Sequence, residues 1–355
     1  MSRRTHLVGA WPGYSAPHAM DVAFTRLGPW LDRLSDGEVG LRSLWVTPVV
    51  EGMRANPNVE MTQDGDYTSY ERTPKFKLKE GAQLDPGTIE LGFRRAFEAS
   101  YPQFKELRAR HGRDDVRFQV GVPSPIDLAL VCFGPEGFAN PALAGAFLQA
   151  EVRELSEIAA LADPEDVVFQ LETIVAIPAA ATEATPDQHQ MQGDAGAMID
   201  RVAQLFAAVA AGTPPKAHFG MHLCLGDFNH VAFSHMPDAE PIVRVVNAVV
   251  AHWPEDHPLD YVHVPFAAAA EPPSLEADFY APLAGLELPP DVRLAAGFVH
   301  EHLDETGHDQ LLTLIESAAG REVDIAATCG LGRRPTLEEA WDAMNKSRTL
   351  LEAHG

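Results

Sequence analysis

Short apolar runs alternate along this chain with longer segments in which apolar residues recur every three or four positions. A short apolar run predicts a buried β-strand, whereas the spacing of three and four predicts a helix with one apolar face. The predicted strands cover residues 5–11, a short stretch ending at 35–38, 116–122, 167–172, 217–224, 261–264, 294–300 and 323–328. Strands that alternate with helices indicate parallel pairing through crossover helices.

Helix signals fill most of the intervals between these strands. Ser15 followed by Pro17 predicts the start of the first helix, and Thr336 with Glu339 forms a capping box before the last one. Further helices are predicted at about 93–107, 141–161, 196–211 and 240–253. This order of elements in 355 residues predicts the α/β class and a single (β/α)8 barrel, or TIM barrel, with residues 1–355 as one domain.

One interval is too long to be an ordinary connection. Residues 46–87, after the second strand, are rich in Pro, Gly, Asp and charged residues and contain Tyr67 and Phe76. Loops of this length are uncommon in a compact domain unless they are functional. The segment is therefore predicted to be a long loop and is a candidate lid or substrate wall.

Polar and ligating side chains stand where the predicted strands end. In a (β/α)8 barrel the active site lies at the carboxyl ends of the strands. The residues at those ends are Glu38, Ser124, Glu172, His222, Cys224, His263, His300 and Cys329. So many polar groups at one edge of a barrel are difficult to explain as core, and they predict an enzyme.

His222 and Cys224 lie two positions apart on the fifth predicted strand. Residues i and i+2 of a strand project from the same face, so this imidazole and thiol are predicted to enter one cavity. Cys329 ends the eighth strand and is a third candidate ligand. Histidine with two thiolates is a ligand set for zinc, although a buried pair in the core would give the same spacing. Cys132, inside an apolar run, is interpreted as core.

Composition narrows the class of protein further. The chain is 46% apolar, which is enough for a large core, and its net charge is -24. That charge argues against binding to nucleic acid or to an anionic membrane, since both need a basic surface. We find neither the apolar region of a secretory signal nor a run of about 18 apolar residues that would span a membrane. Three cysteines do not suggest a disulfide framework, so a cytoplasmic protein is expected.

Five short motifs carry a family resemblance. They are Val8-Gly9-Ala10-Trp11-Pro12, Asp36-Gly37-Glu38, Phe169-Gln170-Leu171-Glu172, His222-Leu223-Cys224 and Cys329-Gly330-Leu331-Gly332-Arg333-Arg334. Together they resemble the cobalamin-independent methionine synthase family, specifically its carboxyl-terminal catalytic barrel. The His-x-Cys pair with a distant Cys is also similar to the zinc-dependent epoxyalkane:coenzyme M transferases.

The resemblance implies a set of zinc ligands and one substrate contact. The implied ligands are His222, Cys224 and Cys329, with Glu38 near the metal as a candidate fourth ligand. Glu172 is implied to hold the amino group of a thiol substrate. The carboxylate ligand that the family has at the end of strand six aligns best with Pro265. The fourth position is therefore left to Glu38, His263, water or substrate.

The polar residues at the strand ends are also predicted to act in catalysis or to bind the substrate. Predicted catalytic residues are Glu38, Glu172 and His300, and predicted substrate-binding residues are Ser124, Glu172, Asp227, His263, Arg333 and Arg334. For the two glutamates the alternative is a salt bridge or a helix cap, and for the two histidines it is an ordinary place at the barrel rim. The two arginines would clamp an anionic group of the substrate, or form a solvated pair.

The chemistry that we infer is alkyl transfer to sulfur. Zinc bound by one neutral imidazole and two thiolates has no net charge, which leaves a bound substrate thiolate nucleophilic. The predicted protein is a zinc-dependent transferase that moves a methyl or larger alkyl group onto a thiol. The donor would be a folate, a corrinoid protein or an epoxide-like electrophile. The alternatives are a zinc lyase or hydrolase that uses metal-bound water, and a non-catalytic subunit with a closed structural zinc.

Overall fold

Eight parallel strands form the centre of the molecule. The structure is a computed structural model that describes residues 2–44, 46–69, 71–181 and 195–355. In all, the described residues form ten strands: β1 (Thr5–His6), β2 (Arg33–Leu34), β3 (Val59–Gln63), β4 (Lys75–Leu78), β5 (Arg117–Pro123), β6 (Val167–Thr173), β7 (His218–Leu223), β8 (Leu259–Pro265), β9 (Arg293–Val299) and β10 (Asp324–Ala327). Eight of them pair in the order β1-β10-β9-β8-β7-β6-β5-β2. The predicted (β/α)8 barrel is confirmed.

The ends of this sheet, β1 and β2, are drawn together by the chain that follows them. The Trp11 amide donates to the Gly37 carbonyl at 3.1 Å, and the Ser35 hydroxyl donates to the Gly9 carbonyl at 2.9 Å. These bonds join the two segments where regular strand pairing has already stopped. The first strand is therefore shorter than the predicted 5–11, although the residues after it still complete the barrel wall.

Helices surround the barrel. They are α1 (Ala16–Leu27), α2 (Thr47–Met53), α3 (Phe93–Arg110), α4 (Pro125–Phe133), α5 (Pro135–Ala139), α6 (Pro141–Ala159), α7 (Ala176–Ala180), α8 (Ala195–Gly212), α9 (Glu240–His252), α10 (Ala277–Tyr280), α11 (Glu305–Ala319) and α12 (Leu337–His354). The predicted capping box is present, because the Thr336 hydroxyl accepts from the Glu339 amide and the Glu339 carboxylate accepts from the Thr336 amide. Cys132 lies on α4 with its side chain fully buried, as expected for core.

Helix α4 was not predicted, because Pro123-Ser124-Pro125 was interpreted only as the end of a strand. Proline is well tolerated in the first turn of a helix, where its missing amide costs no hydrogen bond. The Ser124 hydroxyl caps this helix and accepts from the Asp127 amide at 3.1 Å. The two prolines and the serine therefore start a helix directly at the carboxyl end of β5.

Residues 46–87, which we call the insertion, contain regular structure where a loop was predicted. Helix α2 is followed by an antiparallel hairpin of β3 and β4. Its apolar residues, Val49, Val50, Met53, Val59 and Phe76, form a second core with residues of α4 and α6. Each short strand has one buried side chain, Val59 in β3 and Phe76 in β4, so no apolar alternation is long enough to predict them.

Helix α8 is long and apolar enough, by length and composition alone, to cross a membrane. In the structure its residues Ile199, Val202, Phe206 and Val209 are buried in the main core. It also carries Asp200, Arg201 and Gln204, which interrupt the apolar run. The helix therefore packs as one of the outer helices of the barrel.

Candidate functional site

Three predicted site residues lie side by side at the carboxyl end of the barrel. In the register of the sheet Glu172 on β6 is level with His222 on β7, and His222 is level with His263 on β8. All three are buried. Parallel pairing without a register shift between these residues therefore brings side chains from distant parts of the chain into one layer.

The two cysteines complete a compact group with His222. Cys224 follows β7 and Cys329 follows β10, and their sulfur atoms are 3.8 Å apart. Both are free thiols. The ligating atoms of His222, Cys224 and Cys329 all lie within 4.8 Å of one another, so these residues, which we call the metal-binding group, could hold a metal ion. The pairing of imidazole and thiol on one face follows from the i, i+2 spacing, as predicted.

His263 stands behind His222. Its Nε2 lies 3.0 Å from the Ala327 carbonyl oxygen, which can only accept, so Nε2 carries a proton. Burial lowers the pKa of His263 to about 3, so the ring is neutral and its Nδ1 is an acceptor. Because the Nδ1 atoms of the two histidines are 2.7 Å apart, His222 must donate from Nδ1. We therefore infer that His222 carries its proton on Nδ1, which leaves its Nε2 free to act as a ligand.

The two thiols are hydrogen-bonded to each other. Cys224 donates its S–H to Cys329, and this hydrogen bond lowers the pKa of the Cys329 thiol. The same bond and burial raise the pKa of Cys224. The hydrogen bond therefore eases loss of the Cys329 proton, which metal binding would require.

Two glutamates face each other beside this group. Glu38 and Glu172 both approach Gly121, where an added Cβ would lie 2.8 Å from Glu38 Oε1 and 2.9 Å from Glu172 Oε1. Burial raises the pKa of Glu38 to about 7. Burial and the charge of Glu38 raise the pKa of Glu172. A glycine on β5 therefore makes room for two carboxylates that are hard to ionise together.

Glu172 is oriented from below by a buried chain of hydrogen bonds. The Tyr261 hydroxyl donates to Gln170 Oε1 at 2.9 Å, and Gln170 Nε2 donates to Glu172 Oε1 at 2.7 Å. The ring of Tyr261 crosses β7 at Gly220, where a Cβ would lie 2.1 Å from ring atoms. Gly220 is therefore required for this packing, and the chain holds one oxygen of Glu172 in place.

A small cavity joins these groups, with larger cavities on two sides. The small cavity has a volume of about 30 Å³ and is lined by Glu38, Glu172, His222, Cys224, Asp227, Cys329 and Arg333, among others. Glu38 also lines a cavity of about 670 Å³ beside α3 and β5. Ile174, Asp227 and Arg333 also line a cavity of about 260 Å³ against the insertion. The small cavity therefore has room for only a few atoms beside the metal-binding group. A larger molecule must extend into one of the neighbouring cavities.

Two predicted site residues are engaged elsewhere. His300 is fully buried, with Nε2 at 3.0 Å from the Ala269 carbonyl and Nδ1 accepting from the His302 amide at 3.2 Å. Ser124 is used as the cap of α4. Neither lines any of the three cavities. The structure therefore gives no free ring nitrogen at His300 for acid or base work.

A network centred on Glu301, which is not among the predicted site residues, lies next to Asp227. His230 Nε2 is 2.7 Å from Glu301, and Arg334 Nε is 3.3 Å from the same carboxylate. Asp227 is 3.9 Å from His230 Nδ1, and Asp227 and Glu301 raise the pKa of His230 to about 9. Glu301 follows His300 just after β9, and the rule for strand ends selected the histidine instead. Arg334 is thus bound to Glu301, whereas Arg333 lines the cavities.

The fold is similar to that of several solved structures. A candidate vitamin-B12-independent methionine synthase from Listeria monocytogenes matches with a TM-score of 0.57 and 13% identity, over 99% of this chain and 98% of that one. A B12-independent methionine synthase from Shewanella sp. W3-18-1 matches with 0.51 and 12%, over 99% and 96%. A methyltransferase from Methanosarcina mazei matches with 0.50 and 16%, over 99% and 94%.

Comparisons of sequence add nothing to these likenesses. No protein-family description matches the chain, and no curated protein matches it. The resemblance predicted from the motifs is therefore confirmed by structure at low identity. This chain has the barrel fold of the methionine-synthase-like and methyltransferase proteins.

Proposed function

We propose that this protein is a zinc-dependent transferase that moves a methyl or larger alkyl group onto the sulfur of a thiol. The observation that carries the proposal is the group of His222, Cys224 and Cys329 at the carboxyl end of the barrel. The solved structures with this fold are named as methionine synthases and a methyltransferase, which supports methyl transfer as the reaction class. A cytoplasmic location fits this activity.

The donor set suits zinc. Two sulfurs bound tetrahedrally at a Zn–S distance of about 2.3 Å lie about 3.8 Å apart, and the sulfurs of Cys224 and Cys329 are separated by that distance. The inferred tautomer of His222 offers its Nε2 lone pair. When bound, zinc would hold the substrate sulfur as a nucleophilic thiolate. Glu38 lies outside the compact group, so the fourth position is available to the substrate.

The two glutamates are proposed to bind the ammonium group of an amino-thiol. Glu38 and Glu172 line the same small cavity as the metal-binding group. Burial raises the pKa values of both carboxyls, and the nearby Arg333 offsets this only in part. An ammonium group placed between them would supply further positive charge and allow both to ionise. The thiol would thus be held at its amino end, with its sulfur directed at the metal-binding group.

Sulfur coordination tests the proposal directly. X-ray absorption at the zinc edge of the loaded protein should report two sulfur ligands, from Cys224 and Cys329, and about three after addition of an amino-thiol such as homocysteine. A matched alcohol, homoserine, should leave the number at two. An unchanged sulfur count with every thiol tried would contradict the transferase.

A zinc hydrolase is the second candidate, and one observation favours it. The pKa of Glu38 is raised to about 7 by burial, which is suitable for a general base beside an activated water. Hydrolysis of esters or amides, without any change in sulfur coordination on adding thiols, would replace the transferase with this activity.

His263 is expected to control zinc affinity although it does not line the small cavity. Replacing it by leucine should weaken zinc binding by roughly 10- to 100-fold, because His222 loses the acceptor that orients its ring. His263→Gln should retain most of the affinity, since its amide can accept from His222 and donate to Ala327. Competition with a zinc-binding dye measures both. Equal affinities in the two variants would show that the orienting bond is unimportant.

A further inference from the structure

The cavity of about 260 Å³ between the insertion and the barrel has an unusual lining. Its walls are mainly apolar and include Leu44, Val46, Leu130, Val131, Ile174, Phe228 and Phe233. Four polar residues interrupt them: Thr73, Lys75, Asp227 and Arg333. Its volume is slightly below the range of about 300–1,000 Å³ that is usual for small-molecule sites. A small molecule with an apolar body therefore fits this cavity.

Lys75 brings a cation to this wall without a carboxylate partner. It lies on β4 of the insertion, and its ammonium donates to the Val131 carbonyl at 2.8 Å. Among the described residues no carboxylate lies within 4 Å of it, while Arg54, Arg72 and Lys77 of the same insertion all have such partners. Burial lowers the pKa of Lys75, since the charged form has lost water and gained no counter-ion. An anion in the cavity would supply that counter-ion.

Arg333 is a second cation on the same lining. It is 8% exposed, its Nε has no hydrogen-bond partner, and it forms no ion pair in the part of the chain that the structure describes. Asp227 is the one acidic residue of the lining. It is 3.9 Å from His230, whose pKa of about 9 keeps that ring protonated at neutral pH. Neither oxygen of Asp227 accepts a hydrogen bond from the described residues, so His230 balances its charge only at that distance. The lining therefore holds two cations, Lys75 and Arg333, against one carboxylate.

The position of the cavity assigns it to one of the two substrates. It shares Ile174, Asp227 and Arg333 with the small cavity of the metal-binding group. The glutamate pair lines that small cavity too, but it does not line the apolar one. An amino-thiol bound at the glutamates would therefore leave the apolar cavity to the other substrate. The insertion, a candidate lid in the sequence, forms part of its wall and contacts the loop after β7, where Asn229 donates to the Thr68 carbonyl at 3.2 Å.

We propose that this cavity binds the alkyl donor, and that the donor is a small molecule with an apolar body and an anionic group recognised by Lys75. The assignment to the donor rests on the proposed transferase. In that transfer the thiolate sulfur forms the new S–C bond while the bond from that carbon to the leaving atom breaks, and the leaving atom keeps the electron pair. Arg333, on the wall shared by both cavities, would face the charge that the leaving group gains.

Three probes with one carbon skeleton test the recognition of an anion. They are 3-phenylpropanoate, 3-phenylpropan-1-ol and 3-phenylpropylammonium, and their dissociation constants are measured by NMR titration of the zinc-loaded protein. A hydrogen bond to a charged group is worth roughly 1.5–3 kcal/mol, so the anion should bind about tenfold or more tighter than the alcohol, with the ammonium weakest. Equal binding of anion and alcohol, or no binding at millimolar concentration, would overturn the proposal.

Matched variants locate the effect. Lys75→Met keeps the apolar stem and should reduce the anion-to-alcohol ratio to about one. Lys79→Met is the control, because Lys79 is an exposed lysine of the insertion that also donates to a backbone carbonyl, that of Pro57, but does not line the cavity. Val131→Trp should fill the cavity and weaken all three probes. Unchanged thermal midpoints show that the variants are folded. If Lys75→Met keeps the preference for the anion, or if Val131→Trp leaves binding intact, the site lies elsewhere.

A final experiment distinguishes failure of the proposed donor cavity from failure of the proposed transferase activity. Saturating homocysteine should leave the affinity for 3-phenylpropanoate unchanged, since the two are assigned to different cavities. Mutual exclusion would overturn the assignment to the donor. Zinc content and sulfur coordination are measured on the same Lys75→Met protein and should equal those of the wild type. A wild-type protein that binds no zinc would refute the transferase. The relative affinities of the anion and the alcohol would still show whether the cavity recognises an anion.

Discussion

Replacing either Cys224 or Cys329 by serine is expected to remove nearly all zinc from the purified protein, which should otherwise carry about one zinc per chain. Each cysteine would supply one of the three proposed side-chain ligands, whose ligating atoms lie within 4.8 Å of one another. A serine hydroxyl does not ionise at neutral pH and is a poor ligand for a site built from thiolates. We expect at least about a tenfold loss of affinity, measured as zinc per chain after dialysis against a weak chelator.

The third cysteine provides the matched control. Cys132 is also buried and free, but it lies on α4 within the second core, away from the metal-binding group. Cys132→Ser should keep the full zinc content and lose stability by roughly 1–3 kcal/mol, because a hydroxyl is buried among apolar side chains. Full zinc in both Cys224→Ser and Cys329→Ser would show that these thiols are core residues with no metal-binding role.

The parts of the site that could be predicted from sequence depend on local geometry. The i, i+2 spacing of His222 and Cys224 sets a common face, and Cys329 follows another strand of the same barrel, so the rule for strand ends brings the three together. The same rule could not distinguish His263 from His300. Both follow the predicted pattern, but the ring of His263 is hydrogen-bonded to His222, a candidate ligand, whereas the ring of His300 is bonded at both nitrogens to the backbone. That difference depends on the register and on the loops, which spacing along the chain does not give.

The insertion shows a second limit of prediction from sequence. Its length indicated a functional segment, yet the hairpin and the position of Lys75 depend on antiparallel pairing with exposed charged residues on both strands. Period and composition alone could not place that lysine against Val131 of α4. The barrel could be predicted because strand and helix patterns alternate along the whole chain. The cavity depends on particular contacts between the insertion and the barrel, and no repeated pattern indicates them.

Glu172→Gln is expected to raise the half-saturating concentration of an amino-thiol by about two orders of magnitude while zinc remains at about one per chain. Losing one partner of a buried, hydrogen-bonded charge pair costs roughly 2–5 kcal/mol, and each 1.4 kcal/mol is a factor of ten. Glutamine keeps the size of the side chain and can still accept from Gln170, so the buried chain of hydrogen bonds from Tyr261 persists. The readout is the concentration dependence of sulfur coordination or of transfer.

A second thiol makes this experiment specific for the amino group. 4-Mercaptobutanoate is homocysteine without its amino group, so it cannot place an ammonium between Glu38 and Glu172. In the wild type it should bind about as weakly as homocysteine binds to Glu172→Gln, and in that variant the two thiols should bind about equally, as a double-mutant cycle requires of interacting groups. Zinc lost in proportion to affinity would instead make Glu172 a ligand or a determinant of the fold. An equal loss for both thiols would place its contact on another part of the substrate, and the glutamate pair would then need a different role.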